Sequence, residues 1–210
     1  RLTVRLIMKN ITSNWRLKVL LVRHAQSEAN VNRILQGQTD GKLTEKGIAQ
    51  AHLLAEHFSK KSLDMIISSD LHRAYKTAQI VAIKQSLEVV TTKSLREWNA
   101  GVLDGLPAAS LEEAITKSQL PLGEFTPDDG ESFSQLRKRA TNFLKALETH
   151  KQGQVIMVCT HGDLLRVLVG SILDKDLESS MIIEFDNTSY TTIVLNNNGK
   201  WIVESINQVP

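Results

Sequence analysis

The spacing of apolar residues changes repeatedly along the chain and marks out an alternation of strands and helices. Residues 18–23 (KVLLVR) form a short, nearly continuous apolar run, the pattern of a strand buried on both faces, and they run directly into His24. Residues 24–43 are mostly polar, carry Gly37 and Gly41, and read as a long connection of the kind that carries function. From Thr44, a residue type suited to an N-cap, Ile48, Ala51, Ala55 and Phe58 recur at helical spacing. Residues 65–68 (MIIS) predict a second strand. Leu71, Ala74, Tyr75, Ala78 and Val81 predict a second amphipathic helix, and residues 87–91 a third, weaker strand. Residues 94–130 hold Pro107, Pro121 and Pro127 with four glycines, and read as an insertion with one short helix over 111–115. Phe133, Leu136, Ala140, Phe143, Leu144 and Leu147 define a further helix. Residues 155–159 (VIMVC) give the strongest strand signal, followed by a helix over about 163–172. Three short runs, 181–185, 190–195 and 201–206, end the chain as strands, the last two joined by an Asn-Asn-Asn-Gly turn at 196–199.

Strands alternating with helices and closing on a hairpin predict an α/β fold. The expected form is a three-layer α/β/α sandwich with a mostly parallel central sheet and antiparallel strands near the C-terminus. Neither an internal repeat nor a flexible linker divides the sequence. Residues 1–17 are expected to be an N-terminal extension and residues 18–210 one domain, a size one core can serve.

Composition narrows the class. The apolar fraction is 41% and no stretch approaches the ~18 consecutive apolar residues of a spanning helix, so no membrane association is expected. One cysteine excludes an internal disulfide framework and points to a reducing compartment, the cytoplasm. The formal charge of +2 conceals an asymmetry: residues 1–18 hold five bases and no acid, leaving 20 bases against 23 acids in the remainder. The body of the chain is therefore not a nucleic-acid binder by charge. The basic stretch has the composition of a targeting remnant, but Met8-Lys9-Asn10 reads as an ordinary translation start, and the reading preferred is an extension ahead of Met8.

Two strands end alike, one at His24 and the other at His161-Gly162. Ligands in open parallel sheets bind beyond the carboxyl ends of the strands, so these histidines, 137 positions apart, are expected to share a pocket. Arg23 adjoins the first. Arg73 opens the helix after the second strand, and Ser68, Ser69 and Asn30 lie on neighbouring loops. A helix starting after His161 turns its N-terminus toward the same end of the sheet. Two guanidiniums, imidazole and free backbone amides suit a phosphoryl group, whose oxygens match arginine's fork. Taken singly, each arginine reads as a solvated charge and each histidine as structural; the anion pocket rests on their combination.

The run Leu21-Val22-Arg23-His24-Ala25-Gln26-Ser27-Glu28-Ala29-Asn30 resembles the Arg-His-Gly-Glu box of the histidine phosphatase superfamily, in its phosphoglycerate mutase-like branch. Further segments follow in that family's order: Gln36-Gly37-Gln38-Thr39-Asp40 with Leu43-Thr44-Glu45-Lys46-Gly47, Ser68-Ser69-Asp70-Leu71-His72-Arg73-Ala74, Leu95-Arg96-Glu97-Trp98, and Thr160-His161-Gly162. The resemblance spans residues 18–195. It implies that His24 is a nucleophile forming a phosphohistidine, that Arg23, Asn30, Arg73, His161 and Gly162 hold the phosphoryl group, and that Glu97 is the proton donor and later the base. It also implies substrate contacts at Gln36, Gly37, Gln38 and Thr39. The family's mechanism uses no metal and no cofactor. The expected partner is a small phosphorylated metabolite, and the protein a monomer or homodimer.

Ala25 and Gln26 depart from the family's Gly and Glu, and Lys42 stands where the family has proline: Ala25 is a small change that costs something only where the loop needs φ > 0, Gln26 removes a charge near the pocket rim, and a looser turn is expected at 42. His52, His57, His72 and His150 show no metal-ligand spacing and are expected to face solvent, and Cys159 to be a buried apolar residue. Only 64 positions separate Glu97 from His161, short for a mutase that closes over its intermediate, so hydrolysis is the preferred reaction. A phosphoglycerate mutase, a fructose-2,6-bisphosphatase-like sugar phosphatase and a non-catalytic phosphate-binding module remain the alternatives.

Overall fold

Strand β1 (Trp15–Arg23) lies near the middle of the sheet, and both its faces are covered, which accounts for its unbroken apolar run. The structure is a computed structural model that describes residues 15–210. Most of the expected N-terminal extension, Met8 included, lies outside the described residues. Its last three residues do not behave as an extension: Trp15 pairs with Asn196 and Leu17 is buried, so the strand begins three residues ahead of the expected boundary.

After β1 come α1 (Glu28–Asn32), α2 (Glu45–Ser59), β2 (Met65–Ser69), α3 (His72–Gln85), β3 (Val89–Thr92), α4 (Ala109–Ser118), α5 (Phe133–Leu147), β4 (Gln154–Thr160), α6 (Gly162–Ile172), α7 (Leu177–Met181), β5 (Tyr190–Asn196) and β6 (Trp201–Gln208). The six strands form one sheet in the order β3-β2-β4-β1-β5-β6. The first four in that order run parallel, β5 adds antiparallel to β1, and β6 antiparallel to β5. The α/β sandwich with a mostly parallel sheet and antiparallel C-terminal strands is thus the observed architecture.

Alternating residues of the strands feed two cores. Leu20, Val22, Ile66, Met157 and Cys159 pack against Ala51, Leu54 and Phe58 of α2 and Ala74, Ala78 and Val81 of α3. Val19, Leu21, Ile156, Val158 and Ile193 face the other way, toward Leu136, Ala140 and Phe143 of α5 and Leu164, Leu165 and Leu168 of α6. Helix starts follow local chemistry. Thr44 accepts from the Gly47 amide at 2.9 Å, and Ser132 and Gln135 form a reciprocal capping box ahead of α5.

Three segments differ from the sequence reading. Residues 24–43 contain the short helix α1, opened by a capping box between Ser27 and Asn30. The insertion's helix is twice the expected length, spanning ten residues, none of them buried. The strand expected over 181–185 is absent: Asp176 caps the Ser179 amide at 2.7 Å and starts α7, and the residues after it form a turn whose Phe185 carbonyl is taken by the Arg23 guanidinium. The place beside β1 belongs to β5, so the 181–185 run finds no strand partner.

Candidate active site

Strands β1 and β4 are adjacent, parallel and in register, with Arg23 opposite Thr160, so His24 and His161 leave the sheet side by side. The His24 amide donates to the Thr160 carbonyl at 2.9 Å, and the two imidazole centroids are 5.1 Å apart at 61°. Both histidines are buried. His24 Nδ1 lies 2.7 Å from the Ala25 carbonyl, which can only accept, so the ring proton sits on Nδ1 and Nε2 keeps its lone pair. Burial, and then the charges of Arg73 and Arg23, hold the His24 pKa well below the ordinary histidine value. Burial and Arg73 do the same to His161. Both rings are therefore neutral near neutral pH.

The positive charge comes from the arginines. Arg73, at the start of α3, is buried, with Nη1 donating to the Thr39 carbonyl at 2.9 Å and Nη2 to the Gly37 carbonyl at 2.7 Å. Burial lowers its pKa to about 10, which leaves it protonated. Arg23 Nη1 donates to the Phe185 carbonyl at 2.6 Å, and its Nε lies alongside Gly162, the first residue of α6. His161 Nε2 is 2.9 Å from Ser69 Oγ. Three buried atoms here have no partner in the protein: Arg23 Nε, Arg73 Nε and His161 Nδ1.

Glu97 follows a one-turn helix (Lys93–Leu95) beyond β3 and turns its carboxylate onto the start of α6. Its Oε1 accepts from the amides of Trp98 at 2.9 Å and Leu164 at 3.3 Å, and its Oε2 from the amide of Asp163 at 3.3 Å. These amides and Arg73 favour the carboxylate, but burial and the nearby Asp163 charge prevail and raise the pKa to about 7. The segment is fastened from several sides. Arg139 of α5 donates to the carbonyls of Ser94, Arg96 and Glu97 while paired with Glu131, and Thr160 Oγ1 donates to the Leu95 carbonyl at 2.7 Å. Trp98 is buried, stacked on Phe133 at 4.7 Å between ring centroids.

Asn30 Oδ1 accepts from the Ser27 amide at 3.1 Å and from Asn187 Nδ2 at 3.2 Å. The expected substrate residues Gln36, Gly37, Gln38 and Thr39 lie beside the site and make contacts within the protein. Gln36 Oε1 accepts from Ser27 Oγ, the Gly37 and Thr39 carbonyls hold Arg73, and Gln38 bridges Arg96 and the Glu97 carbonyl. This turn is a seat for Arg73 and Glu97. The loop does not need φ > 0 at Ala25, so alanine carries no backbone cost there, and its amide donates to Thr77 Oγ1 at 3.0 Å. Gln26 Oε1 accepts from Thr44 Oγ1 at 2.9 Å, and the Lys42 carbonyl accepts from the Glu28 amide, so that turn is tied down.

Arg139, Ser27 and Asn187 were not singled out from sequence. Ser27 with Asn30 carries the spacing of a capping box, a usable signal. Arg139 on an amphipathic helix and Asn187 in an Asp-Asn-Thr-Ser run carry none. His52 and His72 are exposed as expected, whereas His57 and His150 are half-buried, His57 lying 3.2 Å from the Tyr190 hydroxyl. Cys159 is buried, and burial pushes its thiol pKa up. Among the described residues there is no cluster of three or more His, Cys, Asp or Glu placed to hold a metal ion, and no helix long and apolar enough to cross a membrane.

A largely buried cluster of two histidines and two arginines at the carboxyl end of the parallel strands sets the α/β class of this protein, and sequence comparison gives the class its family. The model of the histidine phosphatase superfamily (branch 1) matches residues 19–208, and the chain belongs to that superfamily and is a phosphatase enzyme. It is 34% identical over 197 residues to a probable phosphoglycerate mutase GpmB of Yersinia pestis, covering 90% of this chain and 92% of that one. Among solved structures it is similar to phosphoserine phosphatase of Entamoeba histolytica, with a TM-score of 0.81, 27% identity and coverage of 92% and 98% of the two chains. It is also similar to a mycobacterial glucosyl-3-phosphoglycerate phosphatase, with a TM-score of 0.80, 26% identity and coverage of 92% and 99%.

Proposed function

We propose that the chain hydrolyses the phosphomonoester of a small metabolite through a phosphohistidine at His24. The observation that carries this reading is the set of unpartnered buried atoms, Arg23 Nε, Arg73 Nε and His161 Nδ1, gathered around a neutral histidine whose Nε2 lone pair is free. Buried donors without partners are costly and rare, and a phosphoryl group satisfies them together.

In the first half-reaction His24 Nε2 attacks phosphorus and the P–O bond to the leaving group breaks. The Nδ1 proton bonded to the Ala25 carbonyl steadies the imidazolium that forms. Arg23, Arg73, the amide of Gly162 and His161 oppose the charge on the equatorial oxygens, with a Ser69 hydroxyl that donates to His161 Nε2 leaving the ring proton on Nδ1. Glu97, protonated in a large fraction at neutral pH, gives its proton to the departing alkoxide. In the second half Glu97, now a carboxylate, takes a proton from water as that water attacks phosphorus. Phosphate leaves and neutral His24 returns.

A mutase reading has the named Yersinia relative in its favour. Against it, the segment after Glu97 supplies a single ten-residue helix with no buried residue, little with which to close over a retained intermediate. The test is phosphate release from p-nitrophenyl phosphate, 3-phosphoglycerate, phosphoserine, fructose 2,6-bisphosphate and phosphopeptides in the presence of chelator, with 2- and 3-phosphoglycerate exchange measured alongside. Metal-independent release is the expected result. Exchange without release establishes the mutase, and neither activity overturns the catalytic reading.

A further inference from the structure

The turn between α7 and β5 grips the end of β1 more closely than a connection requires. Arg23 donates through Nη1 to the Phe185 carbonyl and through its amide to the Ser189 carbonyl at 3.2 Å, while the Thr188 amide donates to the Arg23 carbonyl at 3.0 Å. Asn187, between them, sends Nδ2 to the His24 carbonyl at 2.9 Å and to Asn30 Oδ1 at 3.2 Å. The turn is also held at a cost. Thr188, β-branched and buried, sits at φ 61°, a region such residues avoid, and strain of this kind persists only where the surroundings enforce it. The turn is braced from below by Asn207, near the end of β6, whose Oδ1 accepts from the Asp186 amide at 2.7 Å and whose Nδ2 donates to the Asp186 carboxylate at 3.0 Å.

The consequence is chemical as well as mechanical. An Asn amide has one accepting and one donating end, and its flip decides which faces a ligand. Asn30 Oδ1 is occupied by two donors, the Ser27 amide and Asn187 Nδ2, so the Asn30 NH2 group is the end left for an anion. With Oδ1 turned toward the phosphoryl oxygens the contact would be repulsive.

We propose that Asn187 is a positioning residue, which fixes the backbone of the nucleophile His24 and locks the amide of Asn30 with its N–H groups toward the phosphoryl group. This rests on the reading of Asn30 as a phosphate contact. Asn187 itself touches no reacting atom.

The test is a double-mutant cycle read in the inhibition constant of inorganic phosphate against p-nitrophenyl phosphate hydrolysis, with thermal midpoints recorded for each variant. Asn30→Ala is expected to weaken phosphate binding ~10-fold, the size of one hydrogen bond to a charged group. Asn187→Ala is expected to weaken it similarly and to lower kcat. The double variant should bind phosphate about as Asn30→Ala does, ~10-fold and not ~100-fold weaker, because Asn187 acts through Asn30. Asn187→Asp keeps the size of the side chain but cannot donate, so it guards against misfolding of the alanine variant and should lose at least as much affinity. Additive effects with an active Asn30 overturn the positioning role alone, as does an Asn187→Asp protein that binds phosphate like the wild type. A silent Asn30→Ala overturns the Asn30 reading and this inference with it.

Discussion

The Asp163 amide donates to the Glu97 carboxylate at 3.3 Å, while the Asp163 side chain opposes the charge on that same carboxylate. One residue thus orients the acid by its backbone and makes it more basic by its side chain. The amides at the start of α6 would by themselves favour the ionised form, so the raised pKa of about 7 reflects burial and Asp163 outweighing them.

Removing the Asp163 charge should therefore make Glu97 a stronger acid. In Asp163→Asn the alkaline limb of kcat/KM, set by loss of the Glu97 proton near pH 7 in the free enzyme, is expected to move to lower pH. Arg166, released from its 2.6 Å contact with Asp163, pushes in the same direction. A pH–rate profile of both proteins checks this; an unmoved or upward-shifted limb contradicts it.

In the proposed mechanism the proton from Glu97 matters in proportion to the basicity of the leaving group. Glu97→Gln should lower turnover of an alkyl phosphate by ~10²–10⁴ in the P–O cleavage step, and single-turnover cleavage of p-nitrophenyl phosphate much less. Equal losses for the two substrates would remove Glu97 from the role of proton donor.

Stability should carry the same signature. The Glu97 pKa is raised in the folded state, so its stabilising effect is fully present below the ordinary value of 4.5 and is lost as pH rises through about 7. His24 and His161 are lowered and act oppositely, costing stability as pH falls below 6.5. The thermal midpoint of Glu97→Gln relative to wild type should therefore rise from pH 5 to pH 8. The histidine contribution cancels in that difference.

Arg73 holds the Gly37 and Thr39 carbonyls and, in the proposed mechanism, also faces the anion. Arg73→Lys keeps the charge but cannot reproduce the fork, and a loss of roughly 10²-fold or more in kcat/KM is expected. Steady-state kinetics on p-nitrophenyl phosphate decide it.

His24→Ala should abolish acid-labile, base-stable labelling of the protein by a phosphoryl donor, together with turnover. Trp98→Ala, which empties a buried site stacked on Phe133, should cost about 3–5 kcal/mol of unfolding free energy by denaturant titration.

Much of this molecule is legible in its residues. The helix of Phe133 to Leu147 has the predicted ends because Ser132 caps it and its apolar positions keep one period. The strand before His161 is marked by continuous burial. The 181–185 run has the pattern of a strand but forms none, because its apolar residues carry no information about which strand takes the place beside β1. The polar groups of the turn at Gln36 to Thr39 serve Arg73, Ser27 and Glu97, partners that no local pattern names.

Sequence by itself determined the order of the six sheet strands and the long helices, the layered α/β class and the residue types suited to an anion, since these follow from local periodicity and side-chain chemistry. Tertiary structure decided which groups meet. The in-register pairing of β1 with β4 brings His24 and His161 together across 137 positions, and the docking of the Glu97 loop on α6 sets the acid near pH 7. Asn187 reaches His24 and Asn30 through a turn fastened by Asn207. Charge proximity, burial and amide flips depend on distances between segments remote in the chain, and no local pattern encodes them.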